Sequence, residues 1–159
     1  MTNRQAWDER RAGRLIEERR TTPGALLPIL HALQEAFGYI DRAAIAPNAE
    51  ALNISKAEVH GVISFYHDFR AAPAEGPVLK LCRAESCQAM GCEDLVRHLR
   101  EAHGLTPDRH DGAGLQVETV YCLGNCALSP AALLDGAPIG LLTTAKLDAI
   151  ARGVGEAAT

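Results

Sequence analysis

Four of the five cysteines fall in two short clusters, Cys82-Arg-Ala-Glu-Ser-Cys87 and Cys122-Leu-Gly-Asn-Cys126, with thirty-four residues between them. A fold for this chain must bring the clusters together, because four thiolates from two loops are the donor set of a structural zinc or an iron-sulfur cluster. The spacing points to the larger of these objects. Zinc knuckles usually close on C-x2-C, a tight bite for one tetrahedral ion, whereas C-x4-C and C-x3-C are wider loops that suit a 2Fe-2S cluster. Cys92 repeats the C-x4-C step from Cys87; it either adds a ligand or packs as a small buried hydrophobe. His31, His60, His67, His98, His103 and His110 read as ordinary helix or loop residues, and none lies inside either cysteine loop as a Rieske site requires.

Composition narrows the class. A formal charge of -4 lacks the positive field of a nucleic-acid binder. The N-terminus, charged from Arg4 through Arg10, has no apolar signal core, and no stretch reaches the ~18 apolar residues of a membrane span. The expectation is a soluble, cytoplasmic protein. An odd cysteine count in such a chain argues against a disulfide framework and for metal or redox chemistry. At 159 residues there is room for one ordinary domain or two small ones.

The N-terminal half reads as helical. Its first twenty residues, rich in Arg and Glu, suggest an exposed helix or partly ordered arm, available to a partner. Leu26, Leu30, Leu33 and Phe37 recur at helical spacing, with Pro28 marking an early turn. A second run from Asp41 is kinked or restarted at Pro47. Ser55 and Glu58 have the spacing of a capping box, and Val59, Val62, Ile63 and Tyr66 give the helix that follows a buried face. Arg70 to Pro77, with two prolines and a glycine, reads as a linker, so the expected domains are 1–72 and 77–159.

Beyond the linker the character changes. A short strand, Val78 to Leu81, runs into Cys82, and a helix from Gly91 to His103 follows with Leu95, Val96, Leu99 and Ala102 inward. Leu115 to Tyr121 alternates as a strand into Cys122. Ala132 to Asp135 and Ile139 to Leu142 read as brief strands around the turn Gly136-Ala-Pro138, before a last helix capped by Thr144 that carries Leu147 and Ile150. Both cysteine pairs thus stand at C-terminal ends of strands, which sends them to one edge of one small sheet. Gly91 and Gly124 allow backbone N–H groups there to turn toward sulfur. Arg83 favours a reduced, more negative cluster and Glu85 disfavours it.

From Leu26 to Ile150 the chain resembles the 24 kDa-type family of thioredoxin-like 2Fe-2S proteins, subunits of respiratory complex I, NAD-linked hydrogenases and NAD-dependent formate dehydrogenases. The resemblance is carried by Leu27-Pro-Ile-Leu-His-Ala-Leu-Gln-Glu35, Phe37-Gly-Tyr39, Leu52-Asn-Ile-Ser55, Val59-His-Gly-Val62, Ser64-Phe-Tyr-His67 and both cysteine loops. It implies an α+β chain, an N-terminal helical bundle followed by a thioredoxin-like α/β domain carrying one 2Fe-2S cluster. It also implies Cys82, Cys87, Cys122 and Cys126 as the ligands, with Cys92 outside the set. Cys82-Arg-Ala-Glu-Ser-Cys-Gln-Ala-Met-Gly91 resembles the gamma subunit of soluble NAD-dependent formate dehydrogenase, and with the chain ending at Thr159 no extra domain is expected. The implied role is electron transfer next to the flavin of a partner, in an assembly that oxidises formate and reduces NAD. The implied partners are a flavoprotein NADH-binding (beta-type) subunit and a large formate dehydrogenase (alpha-type) subunit. FMN, NAD, further Fe-S clusters and a molybdenum or tungsten cofactor are expected on those subunits, since no GxGxxG or GxxxxGK[ST] occurs here and Gly112-Ala-Gly114 is only a turn. The alternatives are the equivalent subunit of complex I or a hydrogenase, a zinc-stabilised interaction module, and a thiol oxidoreductase, which would lack its C-x-x-C pair.

Overall fold

In the computed structural model, which describes residues 6–74, 76–109 and 114–153, the Asp8 carboxylate opens the first helix, α1 (Glu9–Glu17), by accepting from the Arg10 and Arg11 N–H groups at 2.8 and 3.0 Å. Of the exposed helix or partly ordered arm expected here, the helix is what forms, and it is packed on one side. Ala12 and Ile16 are buried, Leu15 is half-buried, and the Trp7 ring lies 4.8 Å from that of Phe37. Ala12, Leu15 and Ile16 form an i, i+3, i+4 stripe narrow enough to be hidden by the charges around it.

The chain divides into two units, Met1–Ala74 and Glu75–Thr159. In the first, α2 (Leu26–Phe37) buries Ile29, Leu30, Leu33 and Phe37 and half-buries Leu26. Gly38, at φ 82°, ends it in the left-handed conformation that glycine adopts without a Cβ penalty. Asp41 caps a 3-10 turn, Arg42–Ala44, and α3 (Ile45–Leu52) follows directly. Pro47 is its third residue, inside the first turn where no backbone N–H is required, so the proline marks a fresh start and not a kink. The Ser55–Glu58 capping box of α4 (Lys56–Phe65) is formed in both directions. Val59 is buried, and Val62 and Ile63 pack partly on the same core. Tyr66 lies past the last helical turn and is exposed, which removes it from the expected buried face. The Arg70 N–H donates to Gln34 Oε1 at 2.7 Å and its carbonyl accepts from Ile40 N–H at 2.8 Å, pinning the start of the proline-rich stretch.

The second unit holds β1 (Val78–Cys82), α5 (Glu85–Ala89), α6 (Cys92–His103), β2 (Gln116–Val120), β3 (Ala132–Leu134), β4 (Ala137–Ile139) and α7 (Thr144–Ala151). The sheet order is β2-β1-β3-β4, with β1 and β2 parallel from Val78↔Gln116 to Cys82↔Val120 and the other pairs antiparallel. Leu79, Leu81, Val117, Ala132 and Ile139 of the sheet share one core with Leu95, Val96 and Leu99 of α6 and Leu147 and Ile150 of α7. The chain is α+β, as expected, but three local expectations change. The β3–β4 turn is Asp135-Gly136, both at positive φ (48° and 86°), a two-residue turn whose twist suits a hairpin. Ala137 and Pro138 therefore belong to β4, at the sheet edge where a missing N–H is tolerated, and Leu142 lies beyond it. Thr143, not Thr144, caps α7, its Oγ1 accepting from Lys146 N–H at 3.3 Å. Ala102 is exposed, since it stands at the margin of the α6 stripe that His103 continues.

His110, Gly112 and Ala113 lie outside the described residues. Among the described residues no helix is long and apolar enough to cross a membrane.

Candidate metal centre

Parallel pairing of β1 and β2 brings the cysteine loops together. With Cys82 in register with Val120, the two strands leave the sheet at the same edge, Cys82 as the last residue of β1 and Cys122 two residues past β2. The exits are tied: Cys82 N–H donates to Ala131 O at 3.0 Å and Arg83 N–H to Val120 O at 2.9 Å. Cys87 follows on the single turn of α5, and Cys126 opens a 3-10 turn, Cys126–Leu128.

The sulfurs sit in two pairs. Cys122 and Cys126 Sγ are 3.9 Å apart, and the Cys87 thiol hydrogen-bonds the Cys82 sulfur. Among the described residues no three cysteine sulfurs lie mutually within 4.8 Å. A single tetrahedral zinc would gather all four at roughly 3.8 Å edges, so two separate pairs fit a two-iron object better than one ion. Burial is graded: Cys82 and Cys87 are buried, Cys122 and Cys126 exposed. Burial pushes the Cys82 thiol up, but N–H groups of Ala84, Cys122 and Leu123 and the Cys87 thiol hydrogen-bond its sulfur and hold it below the ordinary thiol range. Cys126 is held above that range by its hydrogen bond to Cys122 and by the neighbouring sulfurs. Gly124, at φ 75°, turns its N–H onto Cys122 Sγ at 3.4 Å, the type of donation expected from its position in the loop. Cys122 itself adopts φ 74°, a left-handed conformation uncommon for a residue with a Cβ and one that concentrates at functional sites.

Cys92 stands apart chemically. It is fully buried at the first turn of α6, in a small cluster with Cys82, Cys87 and Ala131, and burial pushes its thiol up to about 11. Full burial at a helix start, packed against Cys82, Cys87 and Ala131, is how a core cysteine sits. Cys92→Ala is expected to keep the cluster's visible and EPR spectra while lowering unfolding stability by about 1–2 kcal/mol, the cost of a small cavity; loss of iron would contradict this. Arg83 is also less free than its sequence position suggests. Its guanidinium grips Glu93 with two hydrogen bonds of 2.9 Å, so its charge reaches the cysteine loops already offset.

Two serines and a glycine escaped notice in the sequence. Ser86 and Ser129 Oγ are 2.8 Å apart, Ser129 Oγ donates to Cys126 O at 2.8 Å, and Cys87 Sγ reaches Ser129 Oγ at 3.5 Å. This bridge links the first cysteine loop to the second. No local pattern announces it, because its partners are more than forty residues apart. Gly140 leaves room for the second loop: a Cβ there would stand 2.6 Å from Leu128 Cβ and 3.3 Å from Leu128 O. Gly140→Ala must displace the turn that begins at Cys126 and is expected to cost about 1–3 kcal/mol and perturb the EPR signal. Gly61→Ala, with nothing within 4 Å in α4, is the control and should be neutral or stabilising.

Comparison with known proteins agrees with this geometry. Residues 12–154 match the model of the thioredoxin-like [2Fe-2S] ferredoxin family. NADH-quinone oxidoreductase subunit 2 of Thermus thermophilus is 32% identical over 132 residues, covering 82% of this chain and 73% of that protein. The NADP-reducing hydrogenase subunit HndA of Solidesulfovibrio fructosivorans is 27% identical, covering 85% of this chain and 80% of that one. Among solved structures, an NAD+-reducing [NiFe]-hydrogenase in the H2-reduced state superposes with a TM-score of 0.70 at 31% identity, over 85% of this chain. That alignment covers only 22% of the hydrogenase chain. The paired cysteines at the ends of parallel strands and the match over nearly the whole chain together place this protein in the thioredoxin-like [2Fe-2S] ferredoxin family, as a carrier of one 2Fe-2S cluster.

Proposed function

We propose that Cys82, Cys87, Cys122 and Cys126 hold the 2Fe-2S cluster, and that the chain relays single electrons beside the flavin of a partner in an NAD-linked oxidoreductase assembly. The observation that carries the ligand set is the delivery of two sulfur pairs to one sheet edge by β1 and β2. Four soft thiolates in two pairs match the ligand demand of two irons, and the cluster supplies one-electron redox chemistry when bound. The protein's own part is to stabilise the thiolate charge on Cys82 through the N–H groups that reach its sulfur, to aim Gly124 N–H at Cys122, and to keep the second pair at the surface. Residues 77–159 bear this role. Three large apolar side chains on or beside the loops are exposed, Met90, Tyr121 and Leu128, which suits an edge covered by a flavoprotein.

The relatives named above lend more support to an assembly of the quinone oxidoreductase or hydrogenase type than to a formate dehydrogenase. The formate dehydrogenase reading rests on Cys82 to Gly91 alone. Purifying the tagged chain with its native partners and assaying NAD reduction with formate and with hydrogen, and NADH oxidation with quinone, separates these assemblies. Formate-dependent turnover would restore the formate dehydrogenase reading, and an assembly whose cluster stays oxidised under NADH and dithionite would overturn the electron-relay proposal.

A further inference from the structure

A second group of ligand-bearing side chains lies on the helical side of the second unit, built from residues outside the cysteine loops. His98 and His103 of α6 both point Nε2 at the same atom, Asp148 Oδ1 of α7, each at 2.7 Å. The three ligand atoms lie within 4.8 Å of one another, and no other group of three or more His, Cys, Asp or Glu among the described residues does so. The placement follows from packing. Leu95, Val96 and Leu99 of α6 and Leu147 and Ile150 of α7 are buried in one core, which sets the two helices side by side and leaves His98, His103 and Asp148 at the rim of their contact. The side chains are 28%, 19% and 29% exposed, enough shielding to fix their directions and enough opening for water to reach the group.

We propose that His98, His103 and Asp148 form a binding site for a divalent transition-metal ion of the zinc class, clasping α6 to α7. Two imidazoles and one carboxylate are a borderline nitrogen and oxygen donor set that suits zinc and its first-row neighbours, with solvent completing the coordination. An ion at about 2.1 Å from each donor needs N···O separations of roughly 3.0–3.4 Å, a few tenths of an ångström wider than the hydrogen bonds now present. Side-chain rotation at the rim provides that movement without shifting the helix backbones. The proton balance is simple: each Nε2–H that now donates to Asp148 moves to Nδ1 of its own ring, and the freed Nε2 lone pair goes to the ion. Asp148 already stands as an anion, since hydrogen bonds from His98 and then His103 hold its carboxyl below the usual carboxylate range. The ion would thus replace two hydrogen bonds with three coordinate bonds at the same point.

The test uses the purified chain with its iron-sulfur cluster intact, dialysed anaerobically against zinc ions, with zinc, iron and sulfide measured together. The expected result is one zinc per chain gained with iron content and cluster spectrum unchanged, and zinc-edge X-ray absorption showing nitrogen and oxygen neighbours and no sulfur. His98→Gln and Asp148→Asn, which preserve size and hydrogen-bonding ends, should each weaken the zinc Kd by about tenfold or more. Unsaturable uptake, uptake at the expense of iron, sulfur neighbours, or an unchanged, wild-type Kd in both variants would overturn the proposal. So would absence of binding at about 100 µM zinc, in which case the three residues are a hydrogen-bonded clasp alone.

Discussion

Cys87→Ser is expected to abolish the native cluster. The serine oxygen is a hard donor in place of a soft thiolate, at a buried position on α5 that no solvent ligand can fill. Iron and acid-labile sulfide should fall to a small fraction of the wild-type content, and any residual cluster should show a shifted spin-half signal after dithionite. Far-ultraviolet circular dichroism should change little, because Cys87 sits outside the core that joins the sheet to α6 and α7. Paired with the expected retention of the cluster in Cys92→Ala, the experiment separates ligand from bystander among three buried cysteines that pack together. A wild-type spectrum in Cys87→Ser would remove Cys87 from the ligand set.

Phe37→Ala should be the most destabilising change in the helical unit, by about 3–5 kcal/mol. Phe37 is fully buried at the end of α2, with the Trp7 ring at 4.8 Å and the Arg11 guanidinium 5.4 Å above its own ring. Its removal takes away a large apolar surface and the wall against which α1 packs. Trp7 is the only tryptophan in the chain, so its fluorescence reports the loss directly: in urea the transition should move to lower concentration, with redder emission before unfolding. A loss below about 1 kcal/mol would mean that α1 does not depend on this contact.

How much of this was legible beforehand differs element by element. Leu30, Leu33 and Phe37 announced α2 because a helical period puts them on one side whatever else the chain does. Ser55 and Glu58 announced α4 because a capping box is a local exchange of hydrogen bonds. The strands ending in Cys82 and near Cys122 were visible because short apolar and alternating runs are also local patterns. By contrast the burial of α1 was not legible: its apolar residues are few against the surrounding Arg and Glu, so it read as an exposed helix or an arm, and only the Phe37 ring shows what they bury against. The β3–β4 hairpin was misplaced by two residues because Pro138 suggested a turn, while the left-handed pair Asp135-Gly136 makes it and the sheet edge accepts the proline. Thr143 and Thr144 are equivalent caps on paper, and the start of the helix chooses between them.

Chemistry and period are properties of residue type and spacing, so the sequence alone determined the sulfur-rich cofactor class, the helical first half and the alternation of strands and helices in the second. Contacts between residues distant in the chain belong to the tertiary structure. It decided that β1 and β2 are hydrogen-bonded neighbours, with Cys82 in register with Val120; that Ser86 and Ser129 bridge the loops; that Gly140 must stay bare beneath Leu128; and that His98, His103 and Asp148 converge. The physical reason is common to all four: each depends on a distance set by packing between segments, and no local pattern along the chain encodes that distance.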